Sequence, residues 1–487
     1  MNTDERRETK ANGAGLSKSA KFARIAALRP AHGRQTPVTH VLDADGGGDR
    51  LAELLGASIH RNHYGAHLAL RQWYATQEMC SLDERSVSLL LPQSANSRDC
   101  MEAAADPEQW LFLDTETTGL AGGTGTYAFL VGVAWWAAGG LEVEQFFMRD
   151  LDEEHSVLLE LSERMRERPV LVTFNGKSFD WPLLETRYRM TRSVRAFSPK
   201  VHLDLLHPAR QLWRLRLGSV RLKDLERHVL GKGGRSLDWS RHDDIDSSLI
   251  PQMYFDYLRA GLAEPLAGIF RHNQMDLRGL AALAGRISAA VGSGVGIAGA
   301  ADAEERDPIE MLGLSRMLRR RGHSIRAREL YETALCFGLP RPAERLAQHE
   351  LAQLAKRELD YARAISLWDA LRKAPKQSKP DRRALPEEDP EEAIKSAIEA
   401  AEQLAIYYEH RAKQPTRARE LVRAAIAELR DAQHTGRFAR ERAQKVETRL
   451  VRRLARLERR CAGAPLFGRS KAGNPLADTT ASFRNEK

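Results

Sequence analysis

Cysteine is scarce in this chain: 487 residues hold four, Cys80, Cys100, Cys336 and Cys461, and no two form a CxxC pair. That spacing excludes a zinc knuckle and a disulfide framework and makes a reducing cytosol the default compartment. Long apolar runs are missing too. The longest, Tyr127 to Ala138, falls well short of the ~20 residues that cross a bilayer. The N-terminus shows no apolar segment of signal-peptide type, so the sequence predicts a cytoplasmic protein with no membrane partner. A P-loop is also lacking. Gly122-Gly123-Thr124-Gly125-Thr126 has no Gly-Lys-Ser/Thr ending and reads as a glycine-rich hairpin between strands, open to close approach by a substrate backbone.

What is present is an ordinary hydrophobic content of 42%, in a chain too long for one core. Two ordered domains with tails are expected. A net charge of +9 and a pI near 9.4 are compatible with a polyanionic partner without indicating one. Residues 1–49, polar and basic and ending in Gly46-Gly47-Gly48, read as a disordered tail. Residues 50–106 read as a lead-in segment packing on the next domain. His60, His63 and His67 lie close together there beside Tyr64, but no acid or cysteine completes a ligand set.

Residues 107–291 carry a mixed α/β pattern. Strands are predicted at 110–116, 127–136, 141–148 and 169–174, the first three as an antiparallel meander, with a short strand near 201–206. Helices are predicted at 153–167, 251–260 and 264–289, giving a sheet with helices on its faces. A Gly/Ala/Ser linker spans 292–306. Across 307–461 a pattern starting at Ala327 recurs from Ala362 and again from Ala418. The first interval is close to the ~34 residues of a tetratricopeptide pair, and a charged insert at about 375–390 delays the third copy. Such repeats stack into a surface that takes a protein partner; a plain helical bundle is the alternative. Residues 462–487 read as a polar tail.

The chemistry concentrates in a few acids. Two carboxylates, Asp114 and Glu116, interrupt the apolar strand Trp110-Leu111-Phe112-Leu113 at alternate positions and so share a face. Like charges at the end of a hydrophobic strand repel, and a hard divalent cation is the simplest remedy. Asp180 follows the 169–174 strand through Asn175-Gly176-Lys177-Ser178-Phe179, which puts it at a helix start near the sheet's carboxyl edge. His272 and Asp276 stand four apart in a predicted helix and share a face. Asp243, Asp244 and Asp246 form another acidic group, read as helix caps before Pro251. The Arg-rich 437–460 helix and Arg319-Arg320-Arg321 offer cations to phosphates, with solvated helix faces as the alternative. Trp135, Trp136 and Trp213 read as core.

Asp-x-Glu, then Asn-x-x-x-Phe-Asp, then His followed by Asp, in this order, resembles the DEDD superfamily of 3′–5′ exonucleases with a ribonuclease H-like fold. The string Phe112 to Thr126, followed by Phe129-Leu130-Val131-Gly132, is similar to the bacterial YprB-like group, which carries helical repeats after the nuclease domain. The resemblance implies an α/β ribonuclease H-like domain followed by an all-α tetratricopeptide-like domain. It implies four acidic ligands, Asp114, Glu116, Asp180 and Asp276, holding two Mg²⁺ or Mn²⁺ ions roughly 3.5–4 Å apart. Asp114 bridges the ions in that scheme, Asp180 acts through a water, and His272 orients or deprotonates the attacking water. One departure stands out. The histidine branch of these exonucleases separates His and Asp by five positions and the tyrosine branch by four; here a histidine holds the four-position place. Thr117, Thr118 and Gly119 are expected at the terminal nucleotide or in a tight turn, and Asn175 at the loop or the substrate strand. The reading is a metal-dependent 3′–5′ exonuclease on DNA or RNA. A structure-specific endonuclease and a non-catalytic nucleic-acid-binding adaptor are the alternatives.

Overall fold

The computed structural model describes residues 50–75, 84–91, 97–119, 124–231, 241, 244–295, 307–373 and 389–462. Outside the described residues lie both predicted tails beyond Ala462 and before Arg50, Cys80, Gly122-Gly123 of the glycine-rich hairpin, Asp243, and most of the predicted linker and insert.

Seven strands form one mixed sheet: β1 (Ser58–Asn62), β2 (Gly65–Ala75), β3 (Trp110–Thr117), β4 (Ala128–Ala137), β5 (Gly140–Phe147), β6 (Val170–Thr173) and β7 (Val201–Asp204). Their order is β1-β2-β5-β4-β3-β6-β7. The β3–β4–β5 meander is antiparallel, as its short turns require, while β6 and β7 run parallel to β3. The 50–106 segment is more than a lead-in, because its β1–β2 hairpin joins the sheet itself along β5. The segment also holds helices α1 (Arg50–Leu55), α2 (Glu84–Leu90) and α3 (Arg98–Ala105).

Helices α4 (Glu154–Glu167), α5 (Asp180–Thr191), α6 (Leu206–Leu217), the short α7 (Leu222–Leu225), α8 (Ile250–Ala260) and α9 (Leu266–Val295) complete this region. A π-helical turn, Glu226–Leu230, continues α7. Alternation along β3 explains the two-sided burial. Trp110 and Phe112 enter a core with residues of α3, α6 and α9, whereas Leu111 and Leu113 enter one with α4 and α5. Trp136 and Trp213 belong to the first core; Trp135 lies in the second, beneath the Arg71, Arg164 and Arg168 guanidinium groups. Helix α9 crosses close over β4 at Gly132, where a Cβ would lie 2.0 Å from Asn273 Oδ1. Any larger residue there would displace the Asn273 amide.

Seven further helices follow: α10 (Pro308–Arg320), α11 (Ser324–Phe337), α12 (Arg341–Arg357), α13 (Tyr361–Arg372), α14 (Pro390–His410), α15 (Pro415–His434) and α16 (Arg440–Cys461). They pack chiefly as consecutive pairs, α10 with α11, α12 with α13 and α14 with α15, and α16 covers α15. The recurring sequence pattern falls on the second helix of each pair. Every copy buries positions i, i+4 and i+7: Ala327, Tyr331 and Ala334, then Ala364, Trp368 and Leu371, then Ala418, Val422 and Ala425, the last copy burying Ile426 as well. Burial places the second copy at Ala364, two positions beyond the match of letters at Ala362, which is exposed. The first core runs on without a break into α10, α11 and α12 through Leu312, Tyr331 and Leu351. Gly313 makes that continuity possible, since a Cβ there would meet the Gln211 and Leu212 carbonyl oxygens of α6 at 2.5 and 2.8 Å. Arg216 of α6 pairs with Glu310 of α10 at the same junction. Among the described residues no helix is long and apolar enough to cross a membrane.

Candidate active site

Because β3, β6 and β7 are parallel, their carboxyl ends share one edge of the sheet, where open α/β sheets hold ligands. The buried Trp110–Leu113 run anchors β3, whose end carries Asp114 and Glu116; pairing with β4 shifts register between Glu116 and Thr117. After β6 the chain turns sharply. Asn175 takes φ +67°, and a Cβ on Gly176 would lie 2.5 Å from the Thr173 side chain. Asp204, buried at the end of β7, accepts hydrogen bonds from the Asn175 and Lys177 N–H groups at 2.8 and 3.1 Å and from Leu206 N–H at 3.1 Å. One carboxylate therefore braces the turn that presents Asp180 and also starts α6. Asp180 in turn accepts from the Thr115 hydroxyl at 2.5 Å.

Helix α9 supplies the opposite wall. Asn273, fully buried, donates to Asp114 Oδ2 at 2.8 Å and accepts from Gln145 Nε2 at 2.8 Å. Asp276 Oδ1 lies 2.5 Å from Arg241, whose guanidinium also pairs with the buried Glu226 at 2.5 Å. His272 is only 4% exposed; its Nδ1 sits 2.5 Å from Asp244 Oδ1. A carboxylate accepts only, so that contact puts the proton on Nδ1 and leaves Nε2 facing Asp276 Oδ2 at 3.6 Å and Glu116 Oε1 at 3.9 Å. The four-residue spacing thus brings His272 and Asp276 to one site.

Residues 111–288 match the RNase H superfamily. The chain is also 33% identical over 198 residues to the uncharacterized protein YprB of Bacillus subtilis (strain 168). This similarity covers 40% of the chain and spans about half, 46%, of that relative's length. The chain carries an RNase H-like domain, similar to YprB.

Within the RNase H-like domain the carboxylates are short of positive charge. Burial pushes the Asp114 carboxyl well above its ordinary value, and Asp276, Glu116 and Asp180 add repulsion against the Asn273 hydrogen bond. Burial likewise raises Glu116, with Asp276 and Asp180 adding to it and Lys223 opposing. Asp180 is raised by burial against hydrogen bonds from Thr115. Asp244 goes the other way: burial is outweighed by hydrogen bonds from Lys223 and His272, which bring it down to about 2. Glu226 is raised by burial to about 7 despite Arg241.

The oxygen-only donor set has the chemistry of a hard divalent cation site. Asp276 is turned to Arg241 and Asp180 to Thr115, and among the described residues no three metal-ligating side chains close a cage. The Thr117 hydroxyl donates to Gly119 O at 3.0 Å, and Thr118 exchanges hydrogen bonds with the Tyr127 backbone, so both hydroxyls are engaged in the turn.

Asp244 corrects the reading of the 243–246 acids as helix caps. It belongs to the site, because His272 and Lys223 converge on it, whereas Asp246 serves a turn, accepting from Ser248 N–H at 2.9 Å ahead of α8. Sequence reasoning also gave no role to Asn273, Asp204, Glu226 or Arg241. Asn273 lay in plain view between His272 and Asp276; the others become site residues only through tertiary contact.

Proposed function

We propose that the RNase H-like domain is a metal-dependent nuclease that hydrolyses phosphodiester bonds of DNA or RNA, working from the 3′ end. The observation that supports this most is the gathering of Asp114 and Glu116 of β3, Asp180 of α5 and Asp276 of α9 into a half-buried, mutually repelling group. These four carboxylates would hold Mg²⁺ or Mn²⁺. Two bound ions would supply an acidified water and a counter-charge for the leaving oxygen.

The rest of the chemistry belongs to the chain. His272 Nε2, with its ring set by Asp244, takes the proton of a water placed between Glu116 and Asp276. Asn273 keeps Asp114 in one rotamer, and Asp204 keeps Asp180 at the mouth of its helix. Thr117, Thr118, Gly119 and Asn175 border the site on the strand and turn that carry the acids, where a terminal nucleotide would lie.

The test is cleavage of end-labelled single- and double-stranded DNA and RNA with Mg²⁺ or Mn²⁺, beside Asp114→Asn. Ladders growing from the 3′ end and absent in the variant are the expected result. Internal cuts would replace the exonuclease with an endonuclease on the same acids. Binding without metal-dependent cleavage would leave an adaptor and remove the enzyme.

A further inference from the structure

Helix α16 sorts its charges by face. Ala443, Leu450 and Leu457 are buried against the preceding helices, seven residues apart. Glu447 and Glu458 turn to α15, where Arg430 and Arg423 meet them at 2.7 Å each. Toward α14, Arg453, Arg456 and Arg460 converge on Glu409, a fully buried carboxylate, at 2.8 to 3.2 Å. Burial alone would raise Glu409, but hydrogen bonds from Arg456 and Arg460 outweigh it and hold the carboxyl below its ordinary value.

The outward face is left with cations. Lys445, Arg449, Arg452, Arg456 and Arg459 recur at alternating steps of four and three, forming one row about 21 Å long on a helix rising ~1.5 Å per residue. Arg449 and Arg456 each have one glutamate partner on α14 and remain 52% and 41% exposed. Among the described residues Lys445 pairs with Glu441 alone, on its own helix. Arg452 and Arg459 are exposed and have no carboxylate within reach among the described residues. A groove of about 460 Å³ follows this row.

We propose that this row is a second nucleic-acid contact, gripping the sugar-phosphate backbone of a single-stranded stretch of the substrate. The inference rests on the nuclease reading for its choice of polyanion. The row is one residue wide, which matches one strand rather than the two rows of phosphates of a duplex. Four of its five cations are arginines, whose planar forks take phosphate oxygens in pairs. The cations that hold α14 and α16 together are largely distinct from the free ones, so the fold does not account for Lys445, Arg452 and Arg459.

The experiment measures fluorescence anisotropy of fluorescein-labelled oligo(dT) and oligo(rU) in EDTA, where nothing is cut, across a sodium chloride series. The triple variant Lys445→Gln/Arg452→Gln/Arg459→Gln spares every inter-helix ion pair described above. Each lost phosphate contact to a single strand removes ~0.7 from the slope of log affinity against log salt, so the variant's slope is expected to fall by ~2 and its low-salt affinity at least ~10-fold. An unchanged slope in a variant with the wild-type melting temperature overturns the proposal. So does a wild-type protein that fails to bind either oligonucleotide. Displacement by poly-glutamate as effective as by unlabelled oligonucleotide would assign the row to an acidic protein instead. Hydrolysis of bis(p-nitrophenyl) phosphate by the wild-type protein, and its loss in Asp114→Asn, reports on the carboxylate site separately, so either reading can fail while the other stands.

Discussion

Two desolvated carboxylates in this protein have opposite surroundings. Asp114 sits among Asp276, Glu116 and Asp180 and is driven toward its neutral form; Glu409 sits among three arginines and is held charged. Desolvation pushes both carboxyls up. What differs is whether the protein itself supplies the counter-charge, and only the site at the sheet edge leaves that supply incomplete. A saturated acid is a structural fastening, whereas an unsaturated one is an opening for a ligand.

The largest effect that sharpens this contrast is on activity. Asp114→Asn should lower metal-dependent cleavage by at least about 10²–10³-fold while leaving urea stability unchanged or raised, because one repelling charge is gone. Mn²⁺ or Mg²⁺ at ~100 times the dissociation constant should stabilise the wild-type protein by ~2.7 kcal/mol, and the variant much less, read as a melting shift by calorimetry. Glu409→Ala should do the reverse. Urea unfolding is expected to show a loss of ~2–3 kcal/mol, below the ~3–5 of a fully buried pair because Arg456 is partly exposed, with cleavage of a dinucleotide unaffected. A stable Glu409→Ala protein would break the comparison.

Asp244→Asn tests how the site holds its histidine. The Asn carbonyl oxygen is an uncharged, weaker acceptor and holds the ring more loosely, so kcat should fall ~10–100-fold with little change in KM. The smallest effect is a pH dependence of stability. Glu226 has a folded pKa of about 7 against an ordinary 4.5, so the folded state binds the extra proton between those values. Its contribution is therefore favourable at and below pH 4.5, declines as pH rises to 7, and is level above. Glu226→Gln should remove that downward slope, on the order of 1–2 kcal/mol, from urea unfolding at pH 5 compared with pH 7.5.

Much of this was legible in the sequence, for reasons of period. A two-residue period at the end of an apolar strand exposed Asp114 and Glu116, and a four-residue spacing exposed His272 and Asp276. In the meander, β4 showed itself by an unbroken apolar run from Ala128 to Ala137. The rest was hidden because loops have no period. Asp244 reaches His272 across 28 residues of sequence, from a polar segment that looked like capping. Asn273 is a neutral amide and carries no charge to mark it. Asp204 acts on backbone N–H groups of another turn, 27 and 29 positions away, and backbone donors leave no trace in residue identity. The β1–β2 hairpin was missed as part of the sheet because its partner β5 lies far along the chain.

The core shared by the sheet and helices α10–α12 bears on the order of synthesis. All the site's acids have been made once Asp276 emerges from the ribosome, but the face holding Trp110 and Trp213 still lacks Leu312, Tyr331 and Leu351. A nascent chain at that stage exposes an apolar surface and cannot settle into its final packing. The acids are therefore complete before the packing that closes the core on one face of the sheet beneath them.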